Sequence, residues 1–444
     1  MRQSLIALWV WSWACAGVGA SDHTFPLVKR DVPAVVGMDL YPHQTISRLL
    51  KARDTTTIQT TIGNTLEWFA NVSTGTPPQP LAILVDIEHN EFTVVLGTPL
   101  EGDNCQEDSY CRLYGAYNLS QSSSANSTID ESKRKWSYTF DVTTDIVTMG
   151  ETQVKDVKLN TEFIVGNANI MGLSPNNESF PYQLVDRGLI RSPSFSVWGN
   201  ASSDGGAGLL FGGVNKAKYH GPLQAFPFNK TSEVVTLPLS GFQIQSDSKE
   251  PTTYTFPSSK PFILSTRYIT TTLPDSVIQQ IYKDYNITME KNGPVVDCTR
   301  LTENHTISLS SGNATFSVPW SELIGYRDPT RNLCRFYIES SDEDAPYAGT
   351  IGIPFSHRMY IALNYNSGFV GVAPLNENPG PDEILEIGDG PDIPDAEGDF
   401  PTSILPYPLL PTVAASTSTG LAAMPTYMPG GMLAVAGAAL MAAL

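Results

Sequence analysis

Cysteine is scarce in this chain: five in 444 residues, one of which, Cys15, lies in an apolar leader. The other four, Cys105, Cys111, Cys298 and Cys334, form an even set that reads as disulfides in a secreted chain, with three connectivities open. Histidine is equally thin. His23, His43, His89, His220, His305 and His357 are scattered, with no helical pair and no Cys/His cluster at ligand spacing, so neither a metal nor another cofactor is expected. Cations are in deficit: 27 Lys and Arg face 45 Asp and Glu, for a net charge of −18. That balance argues against a nucleic-acid partner. No serine sits in a nucleophile elbow, and Gly205-Gly206-Ala207-Gly208 belongs to a β-hairpin pattern, not to a phosphate-cradling loop. Helical periodicity is rare, confined to Pro181–Arg187 and to Pro274–Tyr285, where Val277, Ile278, Ile281 and Tyr282 share one face behind a proline.

What is present points outward. Arg2, the apolar run from Leu5 to Ala14 and the small residues Val18-Gly19-Ala20 form a secretory signal over residues 1–20. Lys29-Arg30 is a dibasic pair of the kind convertases cut. Acceptor sequences for N-glycosylation occur at Asn71, Asn118, Asn126, Asn177, Asn200, Asn229, Asn286, Asn304 and Asn313. At the other end, Met432–Leu444 is apolar and charge-free but too short to span a bilayer comfortably. With small residues at Ser418-Thr419-Gly420 and a spacer between, it has the layout of a glycosylphosphatidylinositol (GPI) anchor signal over 419–444, attached at Ser418. A secreted, glycosylated protein held to the cell membrane or cell wall by lipid is the expectation.

Between these ends, 41% apolar content and 444 residues allow two lobes with sizeable cores. Short runs of alternating apolar and polar residues, such as Phe92-Thr93-Val94-Val95-Leu96 and Asp145-Ile146-Val147-Thr148-Met149, predict an all-β body with a few short helices. The expected organisation is a pro-like segment at 21–65, an N-terminal β lobe at 66–228 and a C-terminal β lobe at 229–376. An acidic, Pro/Ser/Thr-rich stalk at 377–418 follows.

Two stretches correspond weakly to each other: Ile83-Leu84-Val85-Asp86, reached from Gly75-Thr76-Pro77-Pro78, and Phe262-Ile263-Leu264-Ser265, followed by Leu273-Pro274. Both resemble the pepsin-like aspartic protease family, in which each lobe contributes one Asp-Thr/Ser-Gly triplet to a shared cleft. Asn169-Ile170-Met171-Gly172-Leu173-Ser174, Pro193–Trp198 with Gly208–Asn215, and Thr350–Phe355 with Gly368–Ala373 resemble further family segments, in family order from about 66 to 376. With the anchor signal, the resemblance narrows to the cell-surface, yapsin-like branch. It implies a bilobal fold and one disulfide per lobe, Cys105–Cys111 and Cys298–Cys334.

The triplets themselves depart from the family. They read Asp86-Ile87-Glu88 and Ser265-Thr266-Arg267. Ser265 replaces the second aspartate and cannot supply an acidic proton or a second charge state. Ile87 cannot make the hydroxyl contact that locks the two loops, whereas Thr266 can. Glu88 and Arg267 replace glycines, and Arg267 is expected to pair with Glu88 or Asp86 across the pseudo-twofold. No Gly-rich flap tip is found, and Tyr138 fits either the place of the family's flap tyrosine or a core or edge position. A catalytically inactive, monomeric module binding a peptide or protein in its cleft is therefore expected. The rival is a weak endopeptidase using Glu88 as its second acid.

Overall fold

Period-two alternation builds the strands where one sheet face is solvated. In Ala314–Pro319, Ala314, Phe316 and Val318 point inward while Thr315, Ser317 and Pro319 face out. Where both faces are covered, alternation gives way to a continuous apolar run: in Gln79–Asp86 every residue from Leu81 on is buried. The computed structural model describes residues 33–42, 67–97, 114–127, 141–162, 168–199, 207–246, 249–328 and 330–400. The signal, Lys29-Arg30, Cys105, Cys111, Tyr138, Asn200, Ser418 and the anchor pattern lie outside the described residues.

The all-β expectation holds. Among the described residues a 14-stranded sheet carries the N-terminal lobe and continues into the C-terminal one, and sheets of five, four and four strands complete the latter. The lobes are joined through Ser194–Trp198, which pairs with Ala207–Phe211 on one edge and with Met359–Asn364 on the other. Two short helices lie where the periodicity places them. Phe180–Asp186 has Pro181 in its first turn, and Asp275–Asp284 buries Val277, Ile278, Ile281 and Tyr282. Cys298 and Cys334 are disulfide-bonded. The bridge closes a loop spanning 36 residues, worth about 2–4 kcal/mol against the unfolded chain. Seven of the sequon asparagines, Asn71, Asn126, Asn177, Asn229, Asn286, Asn304 and Asn313, are exposed, and Asn118 is half-buried.

Two expected boundaries are corrected. Part of the pro-like segment is body: Val36–Pro42 is a strand between Ala207–Phe211 and Trp68–Thr74, with Leu40 buried. The stalk does not begin at 377. Residues 377–400 wrap onto the protein as a strap, Ile384–Glu386 pairing with Gly213–Asn215 and Ala396–Glu397 with Leu223–Gln224. Ile387 and Ile393 enter a satellite core with Val214, Tyr219 and Tyr360. Three of the acids that suggested a solvated stalk are ion-paired: Asp382 with Lys218 and Asp395 with Lys216, each at 3.0 Å, and Glu386 with Arg191 at 2.8 Å.

Candidate active site

Each lobe presents one loop at the end of a strand, by the same construction. In the N-terminal lobe Gln79–Asp86 runs parallel to Asn169–Gly172. Asp86 opposes Gly172, and the Leu173 N–H donates to the Asp86 carbonyl at 2.8 Å. A side chain at Gly172 would collide with the Glu91 carbonyl, so the backbone there closes directly onto the loop. In the C-terminal lobe Phe262–Leu264 runs parallel to Gly349–Ile351, the Ser265 N–H donates to the Ile351 carbonyl, and Gly352 is hemmed in by Thr270. This repeat sets Asp86 and Ser265 at the lobe junction, both fully buried.

The two loops meet in crossed pairs. Glu88, one turn of chain past Asp86, reaches across to Ser265, whose Oγ donates to Glu88 Oε2 at 2.5 Å. Arg267, in the matching position of the other lobe, reaches back so that Nη1 lies 3.3 Å from Asp86 Oδ2. Of the two partners open to Arg267, Asp86 is the one it takes, while Glu88 finds the serine. The second oxygen of Asp86 accepts the Glu88 backbone N–H at 2.8 Å. Thr266 supplies half of the loop lock: its hydroxyl accepts the Ile87 N–H at 3.3 Å and donates to the Val85 carbonyl at 3.5 Å. Ile87 contributes packing alone and is fully buried.

The chemistry available at this junction follows from these contacts. The Ser265 Oγ accepts N–H bonds from Arg267 and Tyr268, both at 3.1 Å, and gives its proton to Glu88. Its lone pairs and proton are committed and it is buried, so it is no nucleophile. Glu88 holds its proton up to about 7, chiefly because burial disfavours its charge. The nearby Asp86 charge adds to this, while the Ser265 hydrogen bond and Arg267 oppose it. Arg267 keeps 41% of its side chain in solvent. Among the described residues no group of three His, Cys, Asp or Glu side chains is placed to hold a metal ion.

Sequence reasoning missed the neighbours that hold the loops. Asn90 receives the Ser174 hydroxyl at 2.6 Å, and the Tyr365 hydroxyl, from the C-terminal lobe, donates to the Leu173 carbonyl. Asp145 is buried under the hydroxyls of Tyr117, Ser122 and Ser124 at 2.5–2.6 Å. The only sequence signal for these was polar residues inside apolar runs. Residues 141–149 form one strand paired with Thr152–Glu162, turning at Gly150 and Glu151.

Two β lobes, each ending a buried parallel strand pair in a loop aimed at its counterpart, with an aspartate in the first, are the scaffold of an aspartic protease. The chain belongs to that family: the model of the eukaryotic aspartyl protease family matches residues 67–375. A probable aspartic-type endopeptidase opsB of Aspergillus fumigatus is 28% identical over 402 residues, covering 82% of this chain and 81% of the relative. The OPSB protein of Arthroderma benhamiae, likewise described as a probable aspartic-type endopeptidase, is 25% identical over 473 residues, covering 95% and 92%. Rhizopuspepsin-2 of Rhizopus niveus is 25% identical over 338 residues, covering 70% and 80%.

Proposed function

We propose that this protein is a binding module on the aspartic-protease scaffold, holding an extended peptide or protein segment between its lobes without hydrolysing it. One observation carries the reading: the junction's buried aspartate is ion-paired to Arg267, and the position facing it is Ser265. Hydrolysis on this scaffold uses two carboxylates that share one proton, one activating water and the other protonating the carbonyl oxygen. Loss of one positioned acid or base removes about 10²–10⁴ in rate, and here the surviving acid is tied up as well. The crossed Glu88 and Arg267 side chains bridge the two loops, where the family has glycine.

A surface location is part of the proposal. It rests on the leader at 1–20, the sequons with exposed asparagines and the tail pattern after Ser418. Release of the protein from intact cells by a phosphatidylinositol-specific phospholipase tests the anchor.

One observation favours a second reading, a slow endopeptidase. Glu88 is protonated in acid and lies against Ser265, so it is placed to serve as the missing acid. The two separate when purified protein is incubated with blocked peptide pools between pH 3 and pH 7. Binding is followed by fluorescence anisotropy and cleavage by mass spectrometry. The binding module returns bound peptides intact, whereas cleavage that disappears in Glu88→Gln establishes the peptidase.

A further inference from the structure

We propose that Arg267 is a carboxylate-recognition site at the centre of the cleft, selecting extended peptides with one acidic residue among neutral or basic neighbours. This rests on the peptide-binding reading above and names the ligand class of that site. Six residues meet where the loops cross, and four of them, Asp86, Ile87, Ser265 and Thr266, are fully buried. Arg267 differs, with 41% of its side chain exposed. Tyr268 beside it is 56% exposed.

The guanidinium is held but far from saturated. It has five N–H donors. One of them, on Nη1, makes the ion pair with Asp86 at 3.3 Å, longer than the 2.7–2.9 Å usual for a charged pair of this kind. A planar fork held on one edge by a buried carboxylate presents its other edge to solvent, the geometry that takes a second carboxylate through two parallel bonds. The charged and titratable groups facing it are Asp86 and Glu88. Glu88 stays neutral up to about 7, so in acid it adds no repulsion and offers a donor. Above that it becomes a competing anion.

The flanks follow from the rest of the molecule. With a net charge of −18, an acidic ligand as a whole is repelled at long range, while neutral or basic flanks are tolerated or attracted. A single carboxylate in such a context meets the Arg267 guanidinium at the junction.

The test uses the full-length protein and two blocked seven-residue peptide pools, with a fixed central Glu or a fixed central Gln and neutral or basic flanks. Binding is read by competition anisotropy. At pH 5.5 the wild type is expected to prefer the Glu pool by about tenfold, the scale of one charge-assisted bond. At pH 8 the preference falls to about twofold or less, and Glu88→Gln retains it there. Arg267→Gln loses the preference, its affinities for the Glu and Gln pools at pH 5.5 differing by less than about twofold. Arg267→Lys, which keeps the charge without the fork, lies between. Equal affinity for the two pools at pH 5.5, or a preference that survives Arg267→Gln, overturns this inference and leaves the binding module standing. Failure to bind either pool overturns both.

Discussion

Replacing Glu88 by Gln isolates the cost of placing a carboxyl under the lobe junction. Gln is the closest neutral match to a protonated Glu, and its carbonyl can still accept the Ser265 hydroxyl. In the folded protein Glu88 keeps its proton up to about 7, whereas unfolded it loses it near 4.3. Between those values the folded state binds more protons, so stability falls as pH rises and the loss is complete above 7. A separation of that size corresponds to about 2–3 kcal/mol, allowing for partial exposure of the side chain. Urea unfolding at a series of pH values from 4 to 8 measures it. At pH 4 the variant and the wild type are expected to agree within about 1 kcal/mol. At pH 8 the variant gains about 2–3 kcal/mol relative to that baseline. Parallel curves for the two proteins would refute the burial of Glu88 against Ser265.

Three further outcomes follow from the fold. His357 stacks on Trp68 with ring centroids 4.3 Å apart and has a buried, unpartnered Nε2; burial, with help from Arg358, pushes its pKa down to about 3. The folded state then refuses a proton that the unfolded chain takes near 6.5, so stability is lost as pH falls below that value. His357→Phe should recover about 2 kcal/mol at pH 4.5 relative to pH 7.5 in thermal or urea unfolding. Ile387→Ala should cost about 2–4 kcal/mol, because Ile387 is fully buried in the strap's core; a change with no effect would return residues 377–400 to a solvated stalk. Replacing Cys298 and Cys334 together by Ser should lower stability by about 2–4 kcal/mol, measured by urea midpoint under oxidising conditions.

The two-lobe β architecture was legible because its carriers are local. Strand periodicity, the glycines beside the loops and the order of the motifs each survive in a single linear reading. Asp86 and Ser265 could be placed for the same reason, since each ends an apolar strand followed by a recognisable turn. The partners of Glu88 and Arg267 were not legible. Both charges were visible, but whether Arg267 meets Asp86 or Glu88 depends on which side chain crosses to which lobe, and that is a matter of three-dimensional register. The strap was misread because Pro, Gly and Asp dominate its composition. Its attachment relies on sparse apolar residues such as Ile387 and Ile393, and on acids whose cations lie far away in sequence, as with Asp395 and Lys216. The strand Val36–Pro42 was assigned to a pro-like segment because the polar, Thr-rich text around it outweighed its seven residues.

The central claim is that a lone buried aspartate, bound to an arginine and facing a serine, does not cut peptides. Its most direct test is the rate of quenched-fluorescent peptide cleavage by highly purified protein and by Asp86→Ala, side by side from pH 3 to pH 7. Indistinguishable background rates are predicted. Turnover by the wild type that Asp86→Ala abolishes would contradict the account.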